Sequence, residues 1–145
     1  MVALEDVGKR WVDAFNNKDI HALMALYADD SVNAQPHLMA PLKGKHAIQE
    51  DLEHFLKAFP DGRMEATTVA AKGDTLAMEW TFSGTHKAAL VGGPTGPIPA
   101  TNKKVMLKGA EFTRHDAQGL IVDERGYFDL MSFMMQLGLV PQPQA

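Results

Sequence analysis

Near the end of the chain, in the run LIVDERGYFD, Arg125, Tyr127 and Asp129 recur at every second residue. On a strand this spacing puts a cation, a phenol and a carboxylate on one face. The residues that follow, LMSFMMQLG, read as a short apolar helix closed at Gly138. Apolar surroundings disfavour the charged form of a carboxylate, and such a group can exchange a proton with a carbon acid or an enolate oxygen near neutral pH. Asp129, at the seam of strand and helix, is therefore the first candidate for catalysis. It also suits the N-cap of the helix, and both roles can hold. Tyr127 is a phenol donor to a carbonyl or, alternatively, a core aromatic.

His86 is the candidate partner. At spacing two it shares a strand face with Gly84, Phe82 and Trp80, so its imidazole would stand beside aromatic walls as acid, base or hydrogen-bonder. The alternative is a strand-end histidine tied to the following loop. Glu111 lies across the final hairpin from Glu124 or Arg125, depending on register. Inward, Glu111 and Arg125 form a paired polar site; outward, the slightly favoured reading for Glu111, they are a solvated pair worth under about 1 kcal/mol. Tyr27, Asn33 and Gln35 surround a short early strand and can hydrogen-bond a substrate, although satisfaction within the core is the commoner role of such amides.

Other chemistries find little support. With no cysteine, disulfides, thiolate metal sites and a cysteine nucleophile are excluded. His46, Glu50 and His54 share a helix face but lie opposite an apolar stripe and lack HExxH spacing, so no metal site is expected. GGPTG has neither a P-loop nor a GxGxxG pattern, and there is no GxSxG elbow. A net charge of −4 gives no footprint for nucleic acid or an anionic membrane. Without an apolar leader or span, a soluble, cytoplasmic protein is the expectation.

The elements that must position these residues follow from periodicity. Val7, Trp11, Ala14 and Phe15 mark a helix over 3–17. Asp19 caps a second, IHALMALYA, and Val32–Gln35 is a short strand stopped by Pro36. After a loop over 37–45, Ile48, Leu52, Phe55, Leu56 and Phe59 stripe a third helix over 45–59. RMEATTVAAK and TLAMEWTFSGTH form a hairpin about Gly73-Asp74. Residues 87–102 hold three glycines and three prolines and read as an irregular rim or lid. The hairpin over 104–129 turns at DAQG, the last helix follows, and PQPQA is a frayed tail. At 145 residues with 46% hydrophobic content, this is one α+β domain over 1–145, its helices covering one face of a curved sheet.

WVDAFNNKDIHALMALYADDSV, GKHAIQEDLEHFLKAFPD, EWTFSGTHKAALVGGPTG and GYFDLMSFMMQLGLVP, in this order, resemble the SnoaL-like polyketide cyclase group of the NTF2-like superfamily. The resemblance implies a cone, in which a strongly curved antiparallel sheet wraps around N-terminal helices and encloses an apolar pocket. It also implies dimerisation through the sheet. The catalytic carboxylate of ring-closing members falls at Asp129, and the GTH ending in His86 lies at the pocket rim. Gln35 stands where related isomerases keep a general-base Asp, and Trp11 where they keep an oxyanion-binding Tyr, which argues against ketosteroid isomerisation. The implied function is cofactor-free acid/base catalysis, an aldol-type cyclisation or isomerisation, on an apolar carbonyl compound. Asp129, His86 and Tyr127 would be catalytic, and Trp80, Phe15, Tyr27, Asn33, Gln35, Glu111 and Arg125 would contact the substrate. A non-catalytic hydrophobic-ligand-binding or dimerisation module is the alternative, and a dehydratase or hydrolase a further one.

Overall fold

The computed structural model describes residues 2–93 and 96–141; the expected frayed tail, apart from Pro141, lies outside them. Helix α1 (Leu4–Asn16) buries Val7, Val12, Ala14 and Phe15 on one side. In α2 (Ile20–Met24) the Asp19 side chain accepts a hydrogen bond from the backbone N–H of Ala22 at 2.9 Å, which satisfies one of the free donors of the first turn. Helix α3 (Lys45–Ala58) and helix α4 (Leu130–Gln136) complete the helical layer.

Strands β1 (Tyr27–Ala34), β2 (Leu42–Lys43), β3 (Arg63–Lys72), β4 (Thr75–Thr85), β7 (Lys104–His115) and β8 (Ile121–Phe128) form one sheet in the order β2-β1-β8-β7-β4-β3. All neighbours are antiparallel except β1 and β8, which run parallel. The curved α+β cone expected from the sequence is the fold observed.

Three local differences have tertiary causes. The second helix stops at Met24 because Leu26 and Tyr27 are drawn into pairing with β8: the Ile121 N–H donates to the Leu26 carbonyl at 2.8 Å and Tyr27 faces Ile121. The loop over 37–45 contains the two-residue β2, paired to Val32 and Asn33. Residues 87–102 include a small hairpin of β5 (Leu90–Gly93) and β6 (Gly96–Ile98), and Pro97 in β6 is tolerated because an isolated two-stranded ribbon needs few donors.

One further departure decides the site. His115 pairs with Ile121, but Arg114 pairs with Asp123, so Val122 is an extra residue on β8. Such a bulge reverses which side chains face the core from that point onward. Beyond it Glu124 and Gly126 point inward, whereas Arg125 and Tyr127 are exposed. Glu111 consequently faces Gly126, one residue beyond Arg125 and two beyond Glu124, the partners expected.

The core between helices and sheet is strongly aromatic. Phe59 meets Phe82 edge-on at 5.5 Å, Phe15 meets Phe82 at 6.1 Å, and Phe59 lies 6.2 Å from Phe133. Such pairs add to the area they bury.

Candidate active site

The helices and the concave face of the sheet enclose a cavity of about 340 Å³. Its wall is mostly apolar, with Trp11 and Phe15 from α1, Phe55 from α3, Trp80 and Phe82 from β4, and Phe128 from β8. Period-two alternation delivers the strand residues: Met78, Trp80 and Phe82 are buried while Glu79 is exposed. On the open side, beside the almost fully exposed Met39, the wall carries His37, Asp51 and His54. His37 Nε2 lies 3.9 Å from Asp51 Oδ1.

At the sheet, five polar side chains meet: Tyr27, Asn33, Gln35, Glu111 and Glu124. The Trp11 indole N–H donates to the Tyr27 hydroxyl at 2.8 Å, and that hydroxyl donates to Glu124 Oε1 at 2.8 Å. Indole is a donor only, so the direction of this relay is fixed. From the other side Gln35 Nε2 donates to Asn33 Oδ1 at 2.9 Å and reaches both Glu111 oxygens at 3.3 Å. Glu111 and Glu124 act on each other by charge and by side-chain hydrogen bonding, an arrangement that favours one shared proton over two buried negative charges.

Burial, then the charge of Glu124, pushes the Glu111 carboxyl well above the usual range. Burial also raises Glu124, against the Tyr27 hydroxyl and the Glu111 hydrogen bond, which favour its ionised form. Both carboxyls are thus pushed toward their neutral forms, Glu111 the more strongly. Burial likewise drives the Tyr27 phenol far up, so it serves as a hydrogen-bond donor. Behind the pair, Val7, Leu76, Met78 and Ile121 border a space of only about 20 Å³, room for about one water. Trp80 Nε1, on a residue of the main wall, is buried with no hydrogen-bond partner among the described residues.

Two glycines make this geometry possible. A Cβ on Gly126 would fall on Gln35 Oε1 and come within 2.6 Å of Glu111 Oε1. A Cβ on Gly109 would strike the benzo ring of Trp80, with Cη2 at 2.7 Å. Glycine is required at both by close approach, since neither backbone has a positive φ.

Phe15, Tyr27, Asn33, Gln35, Trp80 and Glu111 all line the cavity. The outward reading of Glu111 is thus corrected. Four other expectations are corrected as well. Asp129 is exposed at the head of α4, where its Oδ1 accepts the Ser132 N–H at 2.9 Å; of the two roles open to it, the cap is the one the geometry provides. Asp129→Ala is expected to cost about 1 kcal/mol of stability and leave catalysis unchanged, checked by thermal melts beside a rate assay. Tyr127, 55% exposed, packs edge-on against Phe112 at 6.0 Å on the outer face. Arg125 is exposed and pairs with Asp123 at 3.3 Å. The Val122 bulge turned both away from the cavity.

His86 is fully buried but off the cavity wall. Its ring stacks on Phe59 at 5.5 Å, and its Nδ1 accepts the Thr101 N–H at 3.2 Å. Burial holds its pKa below the ordinary value. It ties the end of β4 to the following loop, the structural role weighed for it. His54 is exposed, as expected, and also borders the cavity, while His46 and Glu50 pair at 3.1 Å on the exterior. No group of side chains able to hold a metal occurs among the described residues.

Sequence reasoning missed Glu124 as a site residue, together with the parts played by Trp11 and Asp51. The available signal was a second acid one hairpin step from Glu111. Its direction depended on a bulge that leaves no mark in LIVDERGYFD.

The curved sheet, the helices over its concave side and the cavity between them define an NTF2-like protein, in the class that also includes the ketosteroid isomerase-like fold. Three solved structures align over almost the whole chain. AclR of Streptomyces galilaeus, a candidate hydroxylase, shares 22% identity with a TM-score of 0.79, covering 95% of this chain and 97% of its own. A candidate SnoaL-like polyketide cyclase from Jannaschia Sp. CCS1 shares 15% at a TM-score of 0.81, covering 95% and 93%. IdmH of Streptomyces antibioticus, a candidate polyketide cyclase, shares 23% at 0.76, covering 94% and 99%. No curated protein matches the sequence. The model of the SnoaL-like polyketide cyclase family matches residues 5–137, and the chain belongs to that family.

Proposed function

We propose that this protein is a cofactor-free acid/base enzyme that closes a ring by an aldol-type step, or isomerises, a mostly apolar carbonyl compound. The observation that carries this reading is the Glu111–Glu124 pair, two buried, mutually interacting carboxyls on the wall of an apolar cavity, both raised by burial. Such a pair contains an acid and a base at once.

The steps balance without another reactant. When the shared proton passes from Glu111 to Glu124, the Glu111 carboxylate takes a proton from carbon next to a carbonyl. The developing enolate oxygen is stabilised by hydrogen-bond donors, most strongly in a site closed to water. The enolate carbon then bonds to a second carbonyl carbon in the same molecule. The new alkoxide recovers the proton from Glu111, and Glu124 returns its own. Tyr27 and Trp11 act as positioning residues, because their relay holds Glu124 by its Oε1.

The direct test follows deuterium uptake from D₂O into the α-carbon of a cyclic ketone by NMR, then ring closure of a tethered diketone. Catalysed exchange supports the reading; binding without exchange reduces the protein to a ligand carrier. The pH profile carries a second expectation. Since the charge of Glu124 raises Glu111, Glu124→Gln should shift the limb assigned to Glu111 toward acid, read from kcat/KM between pH 4 and 9.

Two further expectations belong to this reading. Phe112, Tyr127 and Met106 are exposed on the outer face of the sheet, and a homodimer through that face would cover them; sedimentation should give twice the monomer mass, reduced to one by Phe112→Arg. No helix among the described residues is long and apolar enough to cross a membrane, and the proposed setting is cytoplasmic.

A further inference from the structure

We propose that the cavity selects uncharged ligands, admitting a ketone, ester or amide and rejecting the corresponding free carboxylate. This rests on the reading of the same cavity as the substrate site, but it concerns binding and not turnover. The wall carries three carboxyl side chains, Glu111, Glu124 and Asp51, and neither lysine nor arginine among its described residues. Lys18 comes 5.9 Å from the ring centre of Phe15, yet it is not on the wall, and its Nζ donates to the Gly62 carbonyl at 2.7 Å.

An ionised carboxylate entering this space would exchange water for aromatic rings. It would meet no guanidinium or ammonium, the groups that recognise such anions, and it would lie near the Glu111–Glu124 charge. Taking an ion from water without a partner is costly, and a like charge adds to the cost. A neutral carbonyl meets neither penalty. The imidazoles of His37 and His54 are the wall groups able to become cationic, and both lie on the open side with Asp51 beside His37.

The test compares methyl 2-naphthoate with 2-naphthoate by titration calorimetry at pH 8. The ester is expected to bind on the order of 100-fold more tightly. As the pH is lowered, affinity for naphthoate should rise with uptake of about one proton per ligand, while ester affinity shows no such linkage. In the Glu111→Gln, Glu124→Gln double variant the ratio should narrow by about tenfold. Naphthoate binding the wild type within about threefold of the ester, without proton uptake, would overturn the proposal. Because wild-type binding decides, a poorly folded variant does not remove the test. A protein that discriminates the pair but exchanges no ketone hydrogen loses the catalytic reading and keeps this one; the converse result removes this one alone.

Discussion

Replacing Glu111 by glutamine is expected to lower the rate of α-proton exchange by about 10²–10⁴-fold, the range that a positioned general base contributes, and to raise the melting temperature at pH 8. The loss follows from the removal of the carboxyl group that alternates between acid and base. The gain follows from linkage. Glu111 in the folded protein has a pKa raised well above its unfolded value, so its contribution to stability is fully present below the unfolded value and is lost as pH rises through the folded one. Wild type should therefore weaken across the window from about pH 5 upward, and the neutral amide should not. The difference in melting temperature between variant and wild type should widen with pH, at about 3 °C for each kcal/mol in a domain of this size. Unchanged exchange would remove Glu111 from the chemistry, and a variant no more stable at pH 8 would remove the buried shared proton.

The second large effect is expected at Gly126. An added methyl would occupy the place of Gln35 Oε1 and press on Glu111 Oε1 at 2.6 Å, so Gly126→Ala must push both side chains into the cavity. Overpacking of this kind costs about 1–3 kcal/mol. Activity should fall at least tenfold, because Glu111 loses its orientation and an ångström of misplacement is expensive in catalysis. Trimming the obstacle separates this cause from general damage. Gln35→Ala in the Gly126→Ala background should recover part of the stability, a coupling that a double-mutant cycle by chemical denaturation would measure. No recovery would mean that the two residues do not compete for the same space.

The order of elements, the long hairpins and the apolar helix faces were legible because they rest on period and turn chemistry, which are local. Phe15, Trp80, Asn33 and Gln35 could be placed for the same reason: alternation along a regular strand, or a four-residue step along a helix, fixes the side on which each falls. Glu124, Arg125, Tyr127 and Asp129 could not, because their facing depends on a single extra residue, Val122, inserted in β8, whereas Glu111 lies on the regular β7 in phase with the buried Leu107, Thr113 and His115. That insertion is a property of the pairing and of no local propensity. It exchanged the inward set Arg125, Tyr127, Asp129 for Glu124, Gly126, Phe128, and so replaced a lone acid at the helix with a carboxyl pair inside the cone. His86 shows the complementary limit. Its strand face was read correctly, yet the loop residue Thr101, fifteen positions away, captures its Nδ1.

The account turns on one hydrogen nucleus held between two glutamates under an aromatic vault, and carbon-13 NMR of protein labelled at the glutamate side-chain carboxyl carbon observes it most directly. At pH 7 one glutamate carboxyl resonance should remain at the position of the protonated acid; it should vanish in Glu111→Gln and move toward the ionised position in Glu124→Gln. A spectrum in which every glutamate carboxyl is fully ionised by pH 6 would contradict it.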